Sequence, residues 1–384
     1  MGVKCLNMVS LMRMINICIR INDLVIYRLD SPQAQEYVPM YRSLIGSKSL
    51  ILSILSLSLV FGQGFAHADE VNVYSARKEA LILPLLEQFA AETGIGFNLI
   101  TAKADALLKR LESEGHSTPA DVFITTDAGR LQRARKAGVL QPVDNPVLAD
   151  RIPENLRDKD NYWFGLSQRA RVIFYAKNKV DPAELSTYEA LADAKWKQRI
   201  CIRSSGNIYN QSLVASMIEA DGIEQTEAWA RGLVANFARK PAGGDTDQLR
   251  AAAAGLCDIA IANTYYFGRL VNSDKAKDQK VATSLGVFWP NQDDRGAHIN
   301  VSGAGITKYA QHRAAAERLL EFLVSAEAQT WYAEVNNEYP VVADAKIPAT
   351  LMSFGKFKGD SLNLTQLGEN NRAAVQLMDR AGWH

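Results

Sequence analysis

The sequence predicts an α/β protein of two lobes, with the chain crossing between them more than once. Three observations predict it. Strand-like and helix-like segments alternate from residue 70 onward, the pattern of a sheet covered by helices on both faces. The alternation resumes with different content after residue 164. No stretch rich in Pro, Gly or Ser divides the 384 residues, which argues against two domains joined once.

Glu70–Ala76 (EVNVYSA) alternates as a strand does. Lys78–Gly94 carries apolar residues at helical spacing, with Gly94 as its stop. Gly96–Ala102 reads as a second strand and Asp105–Gly115 as a second helix. Pro119–Leu140 repeats strand, turn and helix. This order predicts a parallel sheet with right-handed connections, and a ligand at the carboxyl ends of its strands. Phe164–Val180 is a long strand-like run; helices are expected after RSSGN (203–207) and after Gly244. A buried strand, IAIA (Ile259–Ala262), follows Cys257, and His312–Asn336 is helical. Residues 69–168 and 297–345 are then expected to form one lobe and 169–296 the other, with the helices of 346–384 packing back across both.

Ser49–Phe61 is an apolar run of 13 residues, short for a membrane span, preceded by Arg42 and Lys48. Ala66-His67-Ala68 follows in the form that signal peptidase accepts. Residues 1–68 are therefore expected to be a leader, with cleavage after Ala68 and a true start at Met40. They carry six Lys/Arg and three Asp/Glu, which leaves 37 basic and 39 acidic residues in the exported part. That balance offers no basic field for nucleic acid. Cys5 and Cys18 leave with the leader; Cys201 and Cys257 remain, each opening a short β-like run. In an exported protein a disulfide between them is expected if the two strands are neighbours; otherwise they are buried thiols.

Tyr265 and Tyr266 stand side by side where the IAIA strand ends. Neighbours on a regular strand face opposite ways, but at a strand-to-helix turn the backbone no longer alternates. Asn263 is a candidate N-cap, which puts both phenols in the first helical turn. Taken alone, such a pair is usually packing.

NVYSARKEA, ADVFITTDAGRLQRARKAGVLQPV, RSSGNIYNQSLVASMI, IAIANTYYFGRL and INVSGAGITKYA together resemble periplasmic ferric-ion-binding proteins, over about residues 70–345. These are the substrate-binding components of bacterial iron(III) ABC importers. The resemblance implies a two-lobed periplasmic-binding-protein fold of type II with a hinge of crossing strands. It also implies a monomer that delivers Fe(III) to an inner-membrane ABC permease. Tyr209, in the turn RSSGNIYNQS, matches the family's third tyrosine, so Tyr209, Tyr265 and Tyr266 are the implied iron ligands. The chemistry agrees: Fe(III) is a hard cation that prefers anionic oxygen, and it draws the proton from a phenol far below the usual pKa of about 10.

The first lobe departs from that pattern. Some family members carry a histidine after the first strand and a glutamate near the second turn; here YSARKEA has no histidine and Thr126 falls at the second position. Other members supply a His-Tyr pair where this chain has Lys78-Glu79. Relatives without these ligands complete the shell with a synergistic anion such as carbonate, held by an arginine that corresponds to Arg77, here expected at a helix N-terminus. Tyr74 is a candidate fourth oxygen donor, and Glu79 and Asp127 are candidate direct ligands. Arg171 and Arg203 are candidates to offset phenolate charge.

The chain has no P-loop, G-x-S-x-G or H-E-x-x-H motif, and an enzyme is not expected. The nearest rival is a protein of the same fold that binds another solute: an oxyanion, a polyamine, thiamine or a phosphonate.

Overall fold

Eight strands hydrogen-bond into a curled sheet in the computed structural model, which describes residues 69–384. The expected leader and its cleavage site lie outside those residues. The strands are β1 (Glu70–Ser75), β2 (Gly96–Thr101), β3 (Val122–Thr126), β4 (Phe164–Ala176), β5 (Ile200–Cys201), β6 (Ile259–Asn263), β7 (Leu285–Phe288) and β8 (Ile299–Ile306). Their order is β2-β1-β3-β8-β4-β6-β5, with β7 also on β4.

The first half is built as the alternation predicts. β1 runs parallel to β2 and β3. Helices α1 (Leu83–Thr93), α2 (Ala104–Glu114), α3 (Ala128–Lys136) and α4 (Pro146–Arg151) connect and cover them. Gly94 stops α1 at φ 72°, its N–H bonded to the Ala90 carbonyl. The start of α1 differs from the expected Lys78. A single 3-10 turn occupies Glu79–Leu81, Ile82 breaks the run at φ −146°, and Pro84 sits in the first turn of α1. Proline lacks the N–H an interior position needs, so the helix starts there.

The sheet is mixed, not wholly parallel. β8 is antiparallel to β3, and β4 is antiparallel to β8, β6 and β7. Every antiparallel pair involves β4 or β8, the two neighbours in the middle of the order. Phe164–Ala170 pairs with β8, whereas Arg171–Ala176 pairs with β6 and β7. Both faces of β4 are covered, since Val172 and Phe174 join one apolar core and Ile173 another.

The second half carries α5 (Ile208–Asp221), α6 (Ile223–Ala235), α7 (Asp245–Ala253), α8 (Thr264–Val271) and α9 (Ala276–Ser284). β5 is parallel to β6, and Cys201 and Cys257 are bonded, their Cα atoms 5.9 Å apart. Then follow α10 (Arg313–Leu323), α11 (Ala326–Asn336), α12 (Ala349–Met352), α13 (Thr365–Glu369) and α14 (Asn371–Arg380). α13 packs on both α3 and α5, and α14 on α5 and α6. Gly368 allows the first contact: a Cβ there would lie 2.3 Å from Gln132 Cβ.

Candidate metal centre

Two strand-to-helix turns bring three phenols together. Asn207 caps α5 by accepting the Tyr209 N–H at 3.2 Å, which places Tyr209 in its first turn. Tyr265 and Tyr266 follow Thr264 at the start of α8, at the carboxyl end of β6. The Tyr265 hydroxyl lies 3.1 Å from that of Tyr209, and the Tyr265 and Tyr266 ring centroids are 4.2 Å apart. Tyr265 is buried; the other two are half-buried. Burial, then the neighbouring phenols, pushes the Tyr265 hydroxyl well above its ordinary pKa, and burial raises Tyr266 as well. Without a cation both stay protonated at neutral pH.

Asn263 occupies the cap position of α8 but makes no capping bond. Its Oδ1 accepts from Arg171 at 3.1 Å instead. Arg171 is buried and pairs with Asp245 at 2.9 Å. Arg203 stands 3.6 Å from the same carboxylate and 5.8 Å from the Tyr209 ring centroid.

A second group of charges adjoins the phenols. Arg77 donates to Glu338 at 2.7 Å, and Ser167 donates to the same oxygen at 2.5 Å. Arg169 donates to Ser302 at 3.0 Å and lies 5.7 Å from the Tyr209 ring centroid. Arg77 is 6% exposed and Arg169 1%, yet Nε and Nη1 of the first and Nε and Nη2 of the second have no hydrogen-bond partner among the described residues. Buried donors without partners cost about 1–3 kcal/mol each, so this arrangement favours an incoming anion.

Several expected residues stand elsewhere. Tyr74 gives its hydroxyl to Glu114 at 2.9 Å, and burial with that carboxylate pushes it up to about 12; it is not a free oxygen donor of the cluster. Asp127 is engaged on both oxygens, by Gly129 and Ser212 on one and Asn300 on the other. It caps α3 from a left-handed φ of 85° and is not a free ligand. Glu79 is exposed on its 3-10 turn. Arg77 is not at the N-terminus of an α-helix, since α1 begins only at Leu83.

Sequence reasoning missed four residues. Arg169 had a signal: with Arg171 it forms an i, i+2 pair on one face of a buried strand. Arg269 had another, four residues after Tyr265 on α8; its guanidinium lies 5.0 Å from the Tyr265 ring centroid and 5.7 Å from that of Tyr266. Asp245 and Glu338 had none, because their partners are distant in sequence. No group of three or more His, Cys, Asp or Glu among the described residues is suited to a metal ion.

Fold and cleft together define a two-lobed solute-binding protein of the periplasmic-binding-protein type. Residues 117–357 match the bacterial extracellular solute-binding proteins, and the chain belongs to that family. It is 51% identical to iron uptake protein A1 of Synechocystis sp. over 82% of this chain and 88% of that one. It is 28% identical to the Fe(3+)-binding periplasmic protein of Serratia marcescens, over 88% and 98% of the two chains. A solved structure from Trichodesmium, in complex with iron and citrate ligands, matches with a TM-score of 0.80 at 53% identity, covering 82% of this chain and 100% of that one.

Proposed function

We propose that this protein is a periplasmic receptor that captures ferric iron with Tyr209, Tyr265 and Tyr266 and delivers it to an ABC permease. The observation that carries the reading is the meeting of three phenols from two separate turns, with Tyr209 and Tyr265 3.1 Å apart. Beside them, four buried guanidinium nitrogens of Arg77 and Arg169 lack partners among the described residues. The relatives named for iron support the same cargo. The expected leader of residues 1–68 supports export to the periplasm. The protein works as a monomer that binds and releases, with no chemical turnover.

Capture starts on the tyrosines, which all belong to the lobe of residues 169–296. Iron displaces their protons, and the phenolates neutralise its charge. Three oxygens leave an octahedral ion unfilled. Arg77 and Arg169 hold the anion that completes the shell, carbonate or a carboxylate of the citrate class. The lobe of residues 69–168 and 297–345 closes about β4 and β8, because the closed state gains these contacts. Acid competes for the phenolates and promotes release; reduction does so too, since Fe(II) is a softer partner for phenolate.

The test is a ferric titration followed by the phenolate-to-iron charge-transfer band. Wild type should develop the band, and Tyr265→Phe, which removes one oxygen and keeps the ring, should weaken and shift it. A colourless wild type that binds another solute would replace this reading with the rival one.

A further inference from the structure

We propose that Arg171 is the positioning residue that sets the spacing of the three tyrosines, rather than a charge that offsets them. The inference rests on the reading of Tyr209, Tyr265 and Tyr266 as ferric ligands. Its side chain reaches both tyrosine-bearing turns at once. Nε and Nη2 donate to Asn210 Oδ1 at 3.1 and 2.7 Å, next to Tyr209. Nη1 donates to Asn263 Oδ1 at 3.1 Å, two residues before Tyr265. Asn210 passes the hold onward, its amide donating to the Arg203 and Ser204 carbonyls at 2.8 and 3.1 Å, which fixes the turn before α5. Asp245 closes the ring: it pairs with Arg171 at 2.9 Å and accepts the Asn263 N–H at 3.0 Å. The planar fork of one guanidinium thus spans the two turns and bonds an asparagine amide oxygen in each.

The main chain of Arg171 is also placed for this task. Its N–H donates to the His298 carbonyl at 3.0 Å, where β4 changes partner from β8 to β6. The fork is therefore anchored at the crossing of the lobes, and all of its side-chain partners lie on the tyrosine side. The spacing of the phenols is fixed before any cation arrives.

Charge and geometry are separable by substitution. Arg171→Lys keeps the positive charge and loses the fork. Asn210→Ala keeps Arg171 and releases one end of the bridge. Each variant is checked for folding by circular dichroism and thermal melting, then titrated with ferric nitrilotriacetate. Both should lose affinity by about 10–100-fold and move the charge-transfer maximum. The double variant should lose less than the two single losses multiplied together, since both cut the same bridge. If a folded Arg171→Lys keeps wild-type affinity and band, the residue acts by charge and the proposal is overturned. If Arg171→Lys does not fold, Asn210→Ala decides, and a wild-type band in it overturns the proposal. A wild type without any band would instead bring down the ligand reading, and this inference with it.

Discussion

The tyrosine side and the arginine side of the cleft are built on opposite terms. On the first, Arg171, Asp245, Asn210 and Asn263 satisfy one another, and the phenols ride on a closed network. On the second, Arg77 and Arg169 are also buried but leave four nitrogens without partners among the described residues. One side has its hydrogen bonds closed within the protein; the other leaves donors open. Since unpartnered buried donors cost free energy, the second side keeps its form only where the surrounding fold holds it, and an anion bound there would offset that cost.

The largest effect should come from emptying the tyrosine side. Replacing Tyr209, Tyr265 and Tyr266 together by Phe should abolish the charge-transfer band and ferric binding. Each single replacement should exceed the ~10–100-fold loss typical of a group behind the ligands. Tyr162→Phe is the control, and isothermal or competitive titration is the measurement. If the triple variant binds as wild type does, the contrast between the two sides disappears.

Next in size is the response to acid. The Tyr265 and Tyr266 hydroxyls are pushed above their ordinary range by burial, so iron must expel protons that are present throughout the neutral region. Affinity should therefore fall as pH falls, by more than about one decade per unit if at least two phenols deprotonate on binding. A ferric titration at constant ionic strength between pH 8 and pH 6 reads the slope, and a flat profile would exclude phenolate ligation.

The arginine side should give a smaller and selective effect. Arg77→Ala should lower ferric affinity about tenfold in bicarbonate and remove the bicarbonate dependence, leaving a coloured three-tyrosine site. Equal affinity with and without the anion in wild type would mean that Arg77 holds nothing.

A separate effect, on stability and not on affinity, concerns the joint between the sides. His298 is buried, and burial, then the charges of Arg295 and Arg171, bring its pKa down to about 3. An unfolded histidine titrates near 6.5, so the unfolded chain takes up a proton first as pH falls. The native state thus has its full stability above pH 6.5 and loses up to about 1.4 kcal/mol per unit between 6.5 and 3. Urea melts at pH 7 and pH 5 should differ by about 2 kcal/mol more in wild type than in His298→Asn.

What was legible in the sequence was local. The parallel start of the sheet, Gly94 as a stop, and the tyrosine turns each depend on a few adjacent residues. The polarity of the crossing strands was not, because an apolar run reads the same in either direction. Nor was the arginine side: Glu338 meets Arg77 across 261 positions, and Asp245 meets Arg171 across 74. Asn263 shows how tertiary structure overrides a local rule. Its side chain suits a cap, yet the nearby guanidinium claims it.

The bond between Cys201 and Cys257 has a consequence for which metals the chain can hold. These are the only two cysteines in residues 69–384. Thiolate is the donor that copper(I) and zinc seek, and it would compete for them on any scaffold that left it free. Once the two sulfurs are joined, residues 69–384 have given up their thiolate donors. The bond then acts as a sieve: it leaves hard oxygen as the chemistry on offer and steers the common soft metals elsewhere.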